Sequence, residues 1–233
     1  SIPLRGRQDP NYNGSPWDEN YNGGTSDVFL AKFGEKPMLP TYHGGNDDDV
    51  IEDIITDDRN YIYVTGYSRS DNMPTSTGVL QEIHGGNADI FLSCLDRYGR
   101  VEYVTYYGGS GDDHAKTIDL DKDDKSGDIY LGGTTSSSGL SGTDPNCTLC
   151  TVYKSTITDG NDAFLMSVSR DGSTLRWFTY YGGNNYDQKP EIIEDIVLND
   201  VNFLYVTGEV GNDITMESDV SPPTPVNPYQ PFY

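Results

Sequence analysis

Long apolar runs are missing from this chain; no stretch approaches the ~20 residues that a membrane-spanning helix needs. Basic residues are scarce, with 15 Lys and Arg against 37 Asp and Glu and a formal net charge of −22. Nucleic acid and anionic membrane surfaces would repel such a chain, so neither is an expected partner. Cysteine is limited to three residues. Cys147 and Cys150 form a C-x-x-C within Ser-, Gly- and Pro-rich sequence, while Cys94 sits alone in an apolar run. A zinc site would need a second Cys/His pair at ligand spacing, and a redox motif would need a helix start after a strand. Neither is present, which leaves a tight local disulfide or two free thiols; a disulfide would imply an oxidising compartment. No segment sustains a 3.6-residue apolar period, so little helix is expected. There is no initiating Met and no signal peptide before Ser1-Ile2-Pro3-Leu4, and the chain reads as processed or partial.

What is present is repetition. The 233 residues include 26 Gly and 18 Tyr, and three motifs recur in a fixed order, the signature of a repeat architecture. The first is Asp-x-Phe-Leu, at Asp27, Asp89 and Asp162. The second is Thr-Tyr-(His/Tyr)-Gly-Gly, starting at Thr41, Thr105 and Thr179. The third is an apolar-Tyr-apolar-x-Gly run, ending at Gly66, Gly133 and Gly208. Each unit reads as four short strands separated by Gly and Asp turns. In the second unit they fall at about residues 90–95, 101–106, 115–120 and 128–133. Residues 1–26 read as the tail of a preceding unit. Units follow at 27–88, 89–161 and 162–216, and 217–233 is a Pro-rich extended tail or linker. Four antiparallel strands per unit with a Gly/aromatic signature predict an all-β, β-propeller-like fold of about three repeats plus partial ones. Closure needs about four to eight blades, so this can be part of a larger propeller.

The order Asp-x-Phe-Leu, Thr-Tyr-x-Gly-Gly, Tyr-Val-Thr-Gly resembles the SBBP-type bacterial β-propeller repeat. The nearest match is Tyr63-Val64-Thr65-Gly66-Tyr67-Ser68 with Met73-Pro74-Thr75 downstream. The resemblance spans about residues 24–216. The second unit departs from it at Gly132-Gly133, and the third lacks the Ser-rich stretch after Gly208. It implies a secreted or cell-surface bacterial protein and no particular reaction.

Candidate functional residues are mostly acidic. Asp27, Asp89 and Asp162 recur once per unit, and Asp49, Asp113 and Asp187 follow each Gly-Gly. A catalytic residue has no reason to recur in every unit. A structural carboxylate does, because it accepts the backbone N–H groups of a turn. Asp119, Asp121, Asp123 and Asp128 alternate along a turn in a way that can gather oxygens around Ca²⁺. They fail the EF-hand pattern, since Asp124 and Tyr130 stand where that loop has Gly and Glu. The alternative is a solvated acidic hairpin. His43 occupies the place of Tyr107 and Tyr181 and is expected to pack as they do. Asn13-Gly14-Ser15 and Asn146-Cys147-Thr148 fit the glycosylation sequon, and Trp17 with the many Tyr residues suits sugar stacking. Tyr229, Phe232 and Tyr233 in the tail are candidate contacts with a neighbouring subunit.

No H-E-x-x-H or G-x-S-x-G motif occurs, and an enzyme is not expected. The leading expectation is a non-catalytic structural or adhesive building block of a bacterial extracellular or cell-surface assembly, such as a filament. It would self-assemble or join neighbouring repeats of the same protein. A carbohydrate-binding module is the first alternative and a secreted glycan hydrolase the second.

Overall fold

The computed structural model describes residues 22–33, 38–121, 127–145, 152–157, 160–182, 190–199 and 203–210. Every regular element among them is a strand. In chain order these are β1 (Val28–Lys32), β2 (Met38–His43), β3 (Asp49–Thr56), β4 (Ile62–Ser68), β5 (Asp89–Leu95), β6 (Val101–Tyr107) and β7 (Asp113–Leu120). There follow β8 (Ile129–Thr135), β9 (Gly142–Thr143), β10 (Asp162–Val168), β11 (Leu175–Tyr181), β12 (Ile192–Leu198) and β13 (Leu204–Glu209). Apolar, β-branched and aromatic residues make up these strands, and Gly, Asp and Ser turns end them. The second unit's strands lie within two residues of their sequence positions. None of the described helices, since there are none, can cross a membrane.

All named strand pairs are antiparallel. They form a four-stranded sheet β3-β4-β5-β6, a five-stranded sheet β7-β8-β10-β11-β9, and two-stranded sheets β1-β2 and β12-β13. The sheets are half a unit out of phase with the sequence repeat. The four-stranded sheet takes β3 and β4 from the unit at 27–88, and β5 and β6 from the unit at 89–161. Two units therefore build each complete sheet. The reason is burial: β4 and β5 are buried almost throughout, and strands so enclosed need a ladder on both edges.

In the pairs β3-β4, β7-β8 and β12-β13 the first strand carries a bulge, between Ile51 and Asp53, Ala115 and Thr117, and Ile193 and Asp195 respectively. Opposite the bulges stand Gly66, Gly133 and Gly208. A methyl group on any of them would overlap the carbonyl of Val50, His114 or Ile192 respectively. The third repeated motif ends in Gly because the bulged backbone fills the space a side chain would take.

The sheets pack in a row. Leu30 joins Val64, Phe91 and Tyr106 between β1-β2 and the four-stranded sheet. Tyr63, Leu92 and Cys94 meet Ile118, Leu131, Phe164 and Phe178 in the largest cluster. Ala163, Ile193 and Ile196 join the five-stranded sheet to β12-β13. His43 packs on Phe91 of the next sheet, with ring centroids 5.4 Å apart, as Tyr107 packs on Phe178 at 5.6 Å. Outer edges are covered by the long loops. Ser76 N–H donates to Val104 O and Tyr106 N–H to Gln81 O along β6, while β9 and Lys154 cover β11. This protects the edges from stray pairing.

Candidate functional site: the acidic glycine crossings

Between β6 and β7 the chain must pass from the last strand of one sheet to the first strand of the next, within the five residues 108–112. It does so across the start of β5, where Asp113 N–H donates to Ala88 O at 2.7 Å. Two Gly-Gly pairs meet there. A methyl on Gly86 would collide with the Gly109 carbonyl, and one on Gly85 would stand 2.9 Å from it. The backbones touch, so both pairs are glycine. The first crossing repeats this with Gly23 and Gly24 against Asn46 and Asp47.

Each crossing is lined by two buried or half-buried acids. In the second, Asp89 Oδ2 accepts Gly85 N–H at 2.6 Å and Gln81 Nε2 at 3.0 Å. Asp113 Oδ2 accepts Gly109 N–H at 2.8 Å and Ser137 Oγ at 2.7 Å, and its Oδ1 accepts Thr135 Oγ1. In the first crossing, Asp27 Oδ2 accepts Asn22 N–H at 2.6 Å. Asp49 Oδ2 accepts Gly45 N–H at 2.7 Å and Ser70 Oγ at 2.8 Å. The pairs flank a bare glycine: a methyl on Gly108 would stand 2.6 Å from Asp89 Oδ1 and 2.8 Å from Asp113 Oδ2. Burial raises the Asp49 and Asp89 pKa values, opposed by the turn amides of Gly45 and Gly85 among other hydrogen bonds.

The third crossing differs in two ways. Asp162 Oδ2 pairs with Lys154 Nζ at 2.6 Å, and that ammonium also donates to Gly182 O at 3.1 Å. Lys154 stands where the second crossing has Gln81, since the carbonyl of each accepts the amide of the strand tyrosine, Tyr180 or Tyr106. Asp187 lies outside the described residues. The register position matching Asp49 and Asp113 is taken by Glu191, which is buried and donates its N–H to Asn161 O. The longer sequence after Gly183 hides this substitution, because a fixed offset from Gly-Gly lands on Asp187.

The acidic turn of the second unit is committed to protein partners where it is described. Asp119 Oδ1 accepts Leu120 N–H at 2.8 Å and Oδ2 accepts Leu198 N–H at 2.7 Å. Asp128 Oδ1 accepts Arg176 Nε at 3.1 Å, which opposes a pKa raised by burial. The carbonyl of Asp121 accepts from Arg170, and Asp123 lies outside the described residues. Among the described residues no group of three or more His, Cys, Asp or Glu is placed to hold a metal ion. Trp17, Asn13, Asn146, Cys147, Cys150, Tyr229, Phe232 and Tyr233 also lie outside them. Cys94 is a buried free thiol whose pKa burial pushes up to about 12.

Further residues join one sheet to the next, and their sequence context does not mark them. Asp53 Oδ2 accepts Ile118 N–H at 2.9 Å, and Thr117 Oγ1 accepts Ile196 N–H at 3.3 Å. These are equivalent bonds, each from the residue after a bulge to the next sheet's first strand. Lys116 and Glu52, both at bulges, pair at 2.5 Å. At the opposite strand ends Arg170 pairs with buried Asp57 at 3.1 Å and donates to Gly127 O at 3.0 Å. One guanidinium thereby ties the turns of three hairpins. No family model matches the chain, and no curated protein matches it either.

Proposed function

We propose that this chain is a non-catalytic structural module: a run of propeller-type blades that builds a secreted or cell-surface bacterial assembly, as the SBBP-type resemblance implies. The observation that carries this reading is the use made of the repeated polar residues. Asp49, Asp89 and Asp113 accept the amides of their own turns. Tyr106 and Tyr180 donate to Ser70 O and Ser137 O in the loops that follow the fourth strands. Residues that recur for folding reasons are spent on folding. A propeller sets its blades around an axis with one edge strand of each innermost. Side-chain bonds linking β3 to β7 and β7 to β12, with β6 and β9 at the far edges, support that arrangement.

The test is the size and form of the native material, read by intact mass and electron microscopy. An ordered polymer is the expected result. A single 25.7 kDa chain would overturn the reading.

A further inference from the structure

We propose that β13 of one copy pairs antiparallel with β1 of a second copy, joining two half-sheets into one complete sheet. This rests on the assembly reading above and specifies its contact. The two-stranded sheets are complementary halves. β12-β13 has the strand types that begin the larger sheets, like β3-β4 and β7-β8. β1-β2 has the types that follow, like β5-β6 and β10-β11. Placed side by side, they reproduce the order found twice within the chain.

The exposed residues are those that such pairing covers. Val64 on β4 is 1% exposed, whereas its counterpart on β13, Val206, is 40% exposed. Phe91 and Phe164 are 0% exposed, whereas Phe29 on β1 is 55% exposed. The same motif positions are dry inside a complete sheet and wet in a half-sheet. The apolar side chains themselves are retained on both edges, as a pairing surface requires and as a solvated edge does not.

The register follows from the complete sheets. Gly66 lies opposite Phe91 and Gly133 opposite Phe164. The same rule sets Gly208 opposite Phe29, Thr207 opposite Leu30 and Val206 opposite Ala31. Pairing within one copy is disfavoured by position. Leu30 of β1 packs into the cluster of the four-stranded sheet, while β12 packs on β7, β8 and β10. Two complete sheets therefore stand between the halves of a single chain. The contact uses different surfaces on the two partners, so it propagates head to tail.

Two substitutions test this, each at an exposed position of the single chain: Phe29→Asp and Val206→Asp. Far-UV circular dichroism and thermal melting check that both variants fold. By analytical ultracentrifugation the wild-type mass should rise with concentration through multiples of one chain. Either variant alone should stay a single chain. An equimolar mixture should give a dimer and nothing larger, because Phe29→Asp keeps a working β13 and Val206→Asp keeps a working β1. Wild-type multimers that ignore both substitutions would overturn the pairing and leave the assembly reading standing. A mixture that stays monomeric would also overturn the pairing. A wild-type protein that remains one chain at every concentration would overturn both.

Discussion

A single methyl group separates two kinds of glycine in this chain. Gly78 has φ +80° and open space around it, whereas Gly133 faces the His114 carbonyl across a bulge. Gly78→Ala is expected to cost about 1 kcal/mol through backbone strain alone. Gly133→Ala must move a strand, and about 3 kcal/mol or more is expected; urea unfolding of both variants measures the gap. The crossing acids make a second residue-scale prediction. Asp89 has a raised pKa because it is buried, so the folded chain holds its proton more tightly than the unfolded chain does. Its contribution to stability is therefore greatest below the ordinary carboxylate pKa of about 4 and is lost as pH rises toward the folded value. Asp89→Asn removes that titration. The melting temperature of the variant relative to wild type should climb between acid and neutral pH. Gln81→Lys copies the ammonium that Lys154 supplies to Asp162, and it should stabilise the protein at neutral pH.

At the scale of elements, the strands were legible and their partners were not. Val101–Tyr107 stands out because Val and Tyr fill the stretch between two Gly-bearing turns, and Asp113–Leu120 because it lies between a Gly-rich and an Asp-rich turn. Repetition gives the order of strands but is silent on which neighbour each one bonds. That choice rests on burial of β4 and β5, which only packing reveals. The structural use of Asp49 and Asp113 could be argued from recurrence, but Glu191 could not, because loop length shifted its offset. Arg170 occurs once as a turn clamp and leaves no pattern to find. It is nonetheless a strong candidate for fold stability, since Asp57 beside it is almost fully buried. Arg170→Met should destabilise by roughly 2–3 kcal/mol, less than a fully unpaired buried charge because Arg59 still reaches Asp57. Equilibrium denaturation, with Arg59→Met and the double variant completing a cycle, apportions the effect.

For the whole molecule, protection should follow position in the row. Amides of β4, β5, β8 and β10, each bonded on both edges, should exchange slowest with solvent. Those of β1 and β13 should exchange fastest in the single chain. Deuterium uptake by mass spectrometry, at low and high protein concentration, reads this directly, and assembly through the half-sheets should slow β1 and β13 alone. The half-unit offset between repeat and sheet also bears on how the molecule melts. A repeat whose four strands made their own sheet could unravel by itself and leave its neighbours whole. Here the loss of one repeat removes half of the sheet on either side. Nearest-neighbour coupling is thus carried by backbone ladders as well as by packed faces. Heating should accordingly give one transition in calorimetry, with van't Hoff and calorimetric enthalpies equal, instead of a staircase of separate repeats.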